Sequence, residues 1–424
     1  MNVAYQLVDL LWAGRLPGGV TAIAGVGIGH TFTQLGFMAR QGLDNVTRAM
    51  VARAVGAGNI PLANHIAVQS FNLTAAYSAV MIIFGLFLTD ILLNLIGVSK
   101  EVHNQTALYM RLQFIMIAVM SFRMVAASAL QAAGDVISPL KATTVTRLTH
   151  IAISPFLMFG WGIAPEFGLA GAGIAGIASQ LIGTAMNINA LFRGQSKLQL
   201  TLRGYYLDYP LLWKMVKVGT PASVAGSERA VAQLVLLGVV APFGDISMAA
   251  YALTRRMEML ANFGSQGIGQ ASGIMVGQNL GAGKPERARK AVGWALVYVT
   301  VAKSVLGAMI FGFPVFFIMI FTGDAGVIEL TTVWLRIQVI AAILMGMQMV
   351  FQQSYNTAGD TMTPMIVTLF AVWAVEVPMA WWLSHQMDVG PIGVGWAGVA
   401  AMASRLMLYV PYFFTDRWLR VKLI

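Results

Sequence analysis

The chain of 424 residues contains no cysteine. Disulfides, thiolate metal sites and cysteine nucleophiles are therefore excluded. Charge is almost as scarce: Asp, Glu, Lys and Arg make up 10% of the chain, whereas a soluble domain carries about 25%. That is too little charge to coat a surface facing water. The five histidines are scattered and form no H-E-x-x-H pair. No G-K-(S/T) follows the glycines of GIGH (Gly27 to His30), so this stretch reads as glycine-rich helix and not as a phosphate loop. No metal set and no clustered nucleophile and base can be read from the chain, and a gradient rather than ATP is left to drive any work. The N-terminus shows no basic leader with a small-residue cleavage site.

What the chain does have is apolar sequence. Hydrophobic residues reach 58% and the mean hydropathy is +0.72. Apolar runs of roughly 20 residues recur, about the length needed to cross a bilayer as helix. Ala76 to Ile96 is one such run, and Val292 to Phe321 is another, interrupted by one lysine and one proline. The runs are continuous rather than alternating, which favours helices over a barrel. Length divided by a span plus a short loop gives about twelve crossings. Met1 to Gly14 would cover about 21 Å at the helical rise, short of the ~30 Å hydrocarbon core, so the natural start is expected upstream of Met1. The net charge of +10 is a matter of placement. Arg53, Lys141, Arg193, Lys197, Lys284, Arg287, Arg417 and Arg420 fall on alternate connections, while the opposite set holds little beyond Arg15 and Lys100. This bias places the first set and both termini in the cytoplasm. It calls for membrane lipid as a partner and for no nucleic acid.

VGAGN (Val55 to Asn59) and LGAGK (Leu280 to Lys284) write one turn twice, 225 positions apart. At the same offset Met50-Val51 meets Met275-Val276, Arg111-Leu-Gln113 meets Arg336-Ile-Gln338, and AGD at Ala133 meets AGD at Ala358. Pro139 and Pro364 follow at matching distances. Matches this numerous at one offset amount to a duplication. The glycines suit left-handed helix caps, and AGD-x-x-(S/T)-P suits a tight turn with proline early in the next helix. Two six-helix lobes are expected, over residues 1–193 and 210–424, joined by a cytoplasmic connection at 194–209. The fold class is thus an all-α integral membrane protein. Because each half crosses an even number of times, the halves are parallel repeats around a central cleft, suited to alternating access.

MVGQNLGAGKPERARKAV (Met275 to Val292), VAPFGDISMAAYAL (Val240 to Leu253) and AGDTMTP (Ala358 to Pro364) resemble the second half of multidrug and toxic compound extrusion (MATE) transporters. YQLVDLLWAGRLPG (Tyr5 to Gly18) resembles that family's first helix. The resemblance covers essentially the whole chain apart from the start. It implies a monomer of twelve helices in a bacterial inner (plasma) membrane. Its activity would be export of small, often cationic and amphipathic organic compounds in exchange for H⁺ or Na⁺, with no other cofactor. Two rival readings stand beside it. One is a flippase of lipid-linked oligosaccharides from the wider superfamily, which would favour more helices and a more basic cavity. The other is a membrane enzyme or a bundle with no transport activity.

Ionisable residues inside spans are costly and usually face a cavity or a partner. Asp9, in the short first helix, reads either as a solvated end or as a proton or cation site, and it lines up with the acid the family uses there for coupling. Arg147, His150 and Ser154 share one face of the fifth span. By the resemblance, many relatives carry asparagine and aspartate followed by proline at the positions of His150 and Ser154. Those residues form a cation site with a sixth-helix threonine, and here that position is Gly176. Hard Na⁺ wants several oxygens, whereas histidine titrates near neutrality. Coupling to H⁺ through Asp9, with His150 assisting, is therefore expected over Na⁺. The alternative is a histidine bonded to a neighbouring helix.

Arg40, Asp44 and Arg48, at successive i,i+4 positions, read as an ion-pair ladder or as lining of a polar cleft. In the second half Glu228 and Arg229 (seventh span), Arg255, Arg256 and Glu258 (eighth), Lys303 (ninth) and Glu376 (eleventh) suggest a network of paired charges. Such a network is either a structural lock or a second coupling site. The tenth-helix aspartate known in the family is absent, since Met349 to Thr357 holds no acid. The 26 methionines and 10% aromatic residues would suit an adaptable pocket, but they equally fill any large bundle, and no methionine is assigned to a site. Trp381 and Trp382 suit an interfacial belt.

Overall fold

The computed structural model describes residues 2–16, 19–160, 165–194, 196–201, 203–387 and 389–423. Met1, and Pro17 and Gly18 at the end of the first-helix motif, lie outside the described residues, as do Gln195 and Leu202 of the connection. Among the described residues there is helix and no strand. The first repeat contains α1 (Asn2–Ala13), α2 (Gly19–Gly56), α3 (Ile60–Phe87), α4 (Thr89–Ile96), α5 (Lys100–Ala132), α6 (Ile137–Phe159) and α7 (Leu169–Phe192). The second contains α8 (Tyr209–Val240), α9 (Asp245–Gly281), α10 (Pro285–Gly312), α11 (Pro314–Met319), α12 (Ala325–Ala358), α13 (Met362–Phe370), α14 (Val377–His385) and α15 (Gly393–Phe414).

Among the described residues, eight helical stretches are long and apolar enough to cross a bilayer. The charge-bearing α2 and α9 are longer still, at 38 and 37 residues. Two apolar runs are not single helices. Ala76 to Ile96 breaks at Leu88, between α3 and α4. Val292 to Phe321 breaks at Phe313, because Pro314 has no N–H to extend α10 and starts α11 instead. Between α13 and α14 the backbone widens into a π-helical stretch, Ala371–Glu376. Pro378 accounts for it: lacking an N–H, it cannot close the α-helical bond to the carbonyl of Ala374.

The duplicated turns have duplicated backbones. Gly58 and Gly283 take φ of 74° and 68°, and Gly134 and Gly359 take 100° and 98°, in the left-handed region where a Cβ is costly. In each AGD turn the aspartate caps the next helix. Asp135 Oδ1 accepts from the backbone N–H of Ser138 at 3.0 Å, and Asp360 Oδ1 accepts from that of Thr363 at 3.1 Å. The prolines of both motifs lie in the first turn of α6 and α13.

The chain divides into two compact units, Met1–Val51 with Asn59–Lys217, and Ala52–Gly58 with Val218–Ile424. The connection at 194–209 thus packs as part of the first unit. Asn64 of α3 bonds both the N–H and the carbonyl of Thr201, at 2.9 Å each, and Gln69 donates to the Tyr206 carbonyl at 2.7 Å. His65 stacks on Tyr206 with ring centroids 4.7 Å apart and meets the Asp208 carboxylate at 3.1 Å. In the second unit, the segment Ala52–Gly58 makes a close crossing with the end of α9. A Cβ on Gly56 would overlap the backbone of Gln278, and one on Gly281 would overlap the backbone of Arg53. In the second unit one core gathers Phe351, Tyr355, Tyr409, Phe413 and Trp418.

Candidate functional site

In the first unit α1 is seated on α6 and α7 by apolar packing. Ala13, Leu16, Tyr109, Met158, Leu169 and Ala172 share one core, and Trp12 packs edge-on to Phe159 with ring centroids 5.8 Å apart. This packing carries Asp9 to the face of α6 that bears His150 and Ser154. Asp9 and His150 are both fully buried, with His150 Nε2 at 2.8 Å from Asp9 Oδ1. Ser154 Oγ donates to the same oxygen at 3.3 Å. Pro155 follows inside the helix. The two residues singled out for coupling are therefore one pair, 141 positions apart in sequence. Gly176 is buried in α7 and accepts a bond from Ser179 at 2.9 Å. A buried carboxylate–imidazole pair gains or loses one unit of charge with each proton. Asp9 and Ser154 bring carboxylate and hydroxyl oxygens, the donor types a hard cation takes, but few of them for a full shell among the described residues. Among the described residues no group of three acidic or histidine side chains is placed to hold a metal. Arg147 stays half-buried one turn before His150.

The proposed ladder on α2 is only one rung. Arg40 pairs with Asp44 at 2.7 Å, both buried, but Arg48 bonds the Asn45 side chain at 2.7 Å instead of Asp44. Asn45 is the nearer polar group on its own turn, and Asp44 is already held by Arg40.

The second unit holds a small polar pocket walled by α8, α9, α12, the π-helical stretch and α15. Arg229, Arg255, Glu258, Glu376 and Arg405 line it, with Gln233 and Gln338 beside them. Of the expected network of paired charges, one direct ion pair forms among the described residues. Arg255 and Glu258 form an ion pair at 2.8 Å, an i,i+3 contact on α9. Neither Arg229, Arg405, Glu228 nor Glu376 joins an ion pair among the described residues. Glu228 is 7% exposed, and neither of its oxygens has a hydrogen-bond partner among the described residues. One-residue spacings explain the rest: adjacent residues on a helix point about 100° apart, so Arg256 is exposed and stands outside the pocket that Arg255 lines. Lys303 of α10 donates to Asn262 Oδ1 at 2.8 Å and to the Ala261 carbonyl at 2.9 Å.

Sequence reasoning missed Arg405. Two signals could have found it: it is an ionisable residue inside a span, and the duplication passes through it. ASQL (Ala178 to Leu181) on α7 meets ASRL (Ala403 to Leu406) on α15 at the 225-residue offset. The serine bonds repeat as well, Ser179 to the Gly176 carbonyl at 2.9 Å and Ser404 to the Ala401 carbonyl at 2.8 Å. Gln180 therefore corresponds to Arg405, and by the same offset Arg123 corresponds to Gln348. In the first unit the pair is joined, with Arg123 Nε donating to Gln180 Oε1 at 2.7 Å. In the second unit Gln348 donates instead to Gln352 at 2.8 Å, and Arg405 faces the pocket.

Paired half-chains of helices, with ionisable groups buried inside them, define a polytopic membrane protein of the transporter type. The MatE family model matches residues 1–156 and 221–382, and the chain belongs to that family of multidrug efflux transporters. Among curated relatives, the probable multidrug resistance protein YoeA of Bacillus subtilis is 25% identical over 415 residues, covering 96% of this chain and 89% of that protein. The probable multidrug resistance protein NorM of Thermotoga maritima is 24% identical over 376 residues, covering 87% and 79%. The crystal structure of the Vibrio cholerae MATE transporter VcmN in its bent form superposes with a TM-score of 0.89 at 20% identity, covering 98% of this chain and 94% of that one. That likeness carries the fold, twelve helices in two repeats.

Proposed function

We propose that this chain is a proton-coupled antiporter that exports small amphipathic organic compounds bearing a cationic group, by alternating access. Its seat is a bacterial inner membrane, with both termini cytoplasmic, and it works as a monomer. The observation that carries the reading is the fully buried Asp9–His150 pair at 2.8 Å. A proton entering that pair changes its charge in surroundings that solvate charge poorly, so occupancy by H⁺ biases how α1 and α6 pack. Among the described residues, Ser154 is the hydroxyl that joins the Asp9 carboxylate, and so short an oxygen set favours H⁺ over Na⁺. One proton crossing a potential of 100 mV releases about 2.3 kcal/mol, enough for roughly a fifty-fold concentration ratio of cargo.

The test is ethidium efflux from cells or inverted vesicles, driven separately by a proton gradient and by a sodium gradient. Proton-driven efflux that vanishes in Asp9→Asn, and whose pH profile moves in His150→Ala, is the expected result. Efflux driven by sodium alone would overturn the coupling ion, and no efflux from a correctly inserted chain would overturn the exporter.

A further inference from the structure

We propose that His30 is a proton-transfer residue for the buried Asp9–His150 pair, taking H⁺ on the open side of α2 and passing it to the Asp9 carboxylate. The proposal rests on the proton-coupled reading, because it concerns how the proton of that reading arrives. Asp9 Oδ1 is engaged by His150 and Ser154, whereas Oδ2 is buried with no hydrogen-bond partner among the described residues. A buried carboxylate oxygen left without a donor is costly, and a proton can settle there without breaking the bonds already made. The pair thus has a place for a proton, but Asp9 and His150 are fully buried and have no surface from which to collect one.

His30 supplies that surface. The consecutive helices α1 and α2 share a core through Ala13, Leu16, Ala22 and Val26. His30 comes one helical turn after Val26, and Asp9 one turn before Ala13; the Asp9 charge acts on the His30 ring. The His30 residue is partly exposed, yet its Nε2 is buried and has no hydrogen-bond partner among the described residues. At 3.6 residues per turn, one side of α2 carries Gly27, Thr31 and Gln34, all exposed, and a Cβ on Gly27 would meet nothing within 4 Å. This open stripe is small and polar, unlike the stripe of Trp294, Tyr298 and Val301 that α10 exposes. The opposite side carries Gly29, where a Cβ would stand 2.8 Å from the Tyr109 ring of α5. His30 projects between the two sides. The glycines of GIGH therefore let α2 lie close on α5 and hold one imidazole between a polar open face and a buried acid. The duplication marks the same place: at the 225-residue offset His30, Thr33 and Gln113 correspond to Arg255, Glu258 and Gln338, which line the pocket of the second unit.

Among the described residues, the titratable groups near this stretch are Asp9 on α1, Tyr109 on α5 and, behind Asp9, His150 on α6, while Tyr77 of α3 bonds the Gly36 carbonyl further along. The Arg40–Asp44 pair begins about 15 Å along α2. Histidine titrates near neutrality, so the ring can load and unload at working pH. In the transfer step the imidazolium gives its Nε2 proton to Asp9 Oδ2, directly or through one water. The N–H bond breaks and the O–H bond forms. His30 returns to the neutral ring, and Asp9 becomes the neutral acid.

The test is a pH jump on the full chain in detergent, followed by the infrared band of the protonated Asp9 carboxyl, identified as the band that Asp9→Asn removes. His30→Gln and His30→Ala should reach the native band height in saturating acid but approach it roughly a hundredfold more slowly, the lower end of what a positioned proton donor contributes. Added imidazole, a small mobile proton carrier, should restore the rate in His30→Ala, where the deleted side chain leaves room for it. Variants that load as fast as the native chain overturn the proposal and leave the Asp9–His150 pair standing. Slow loading that imidazole does not restore also overturns it, because His30 then serves packing alone. A native chain with no Asp9-dependent band at any pH overturns the proton coupling and the transfer residue with it. If neither histidine variant folds, Gly27→Leu fills the open space beside His30 without altering a titratable group, and unslowed loading in that variant overturns the proposal.

Discussion

Asp9 Oδ1 accepts from both His150 and Ser154, and the two bonds are unequal in what their loss leaves behind. Removing His150 strands a buried carboxylate, a defect that costs about 3–5 kcal/mol. Removing the Ser154 hydroxyl deletes one longer bond and leaves the pair intact, a loss of about 1 kcal/mol. Thermal unfolding in detergent should therefore rank His150→Ala well below Ser154→Ala, and equal midpoints would show that Asp9 does not depend on the imidazole. A second residue-scale prediction concerns acid. The Leu211 backbone N–H, and behind it the side chain of His65, hold the Asp208 carboxyl below its ordinary pKa. A lowered pKa stabilises the folded state fully above the unfolded value of about 3.9, and that contribution disappears as the pH falls through the folded value. The protection of the Leu211 amide, its exchange measured against that of the unstructured chain at the same pH, should be high at neutral pH and fall below about pH 4, and Asp208→Ala should remove that protection already at neutral pH. At this scale the sequence was legible where a rule about single residues applied: an acid or histidine inside a span is costly, and Asp9 and His150 met. The rule marks Arg405 equally, but α15 reads as an unbroken apolar run around it, and no nearby charge draws the eye.

The helix ends were the most legible elements, because glycine and proline act locally. The left-handed glycines after α2, α5, α9 and α12 stand where the GAG and AGD motifs place them. The π-helical stretch before Pro378 was not legible, since proline in a span signals a break without saying how the backbone absorbs it. The clasp of Asn64, His65 and Gln69 on the connection was not legible either, for its partners lie 137 to 143 positions away. The matched turns allow a contrast between two glycines that sequence alone treats alike. Gly58 has open space around it but a φ of 74°, so Gly58→Ala should cost about 1–2 kcal/mol through backbone strain. Gly56 has helical φ, and a Cβ there meets the backbone of Gln278, which cannot swing aside as a side chain would. Gly56→Ala should cost more, about 1–3 kcal/mol or above, and Gly281→Ala should match it, because its Cβ would meet Arg53 in the reciprocal way. Melting curves for the three variants settle the order.

Duplication was legible across the whole molecule because motifs at one offset needed no structure to align. What the offset could not convey is how far the halves differ inside a shared backbone plan. The first unit buries an acid against a histidine, and the second gathers arginines and acids around a pocket. Arg123 with Gln180 and Gln348 with Arg405 are the same two side-chain types set in opposite order on corresponding helices. Reversing that order leaves composition and formal charge unchanged, so no count over the chain reveals it. It changes whether the cation ties two helices together, as Arg123 does, or lines a pocket, as Arg405 does. Exchanging the two residues in the second half alone, Gln348→Arg together with Arg405→Gln, would restore the first half's strut there, and a copied gene can travel that road in either direction by two substitutions.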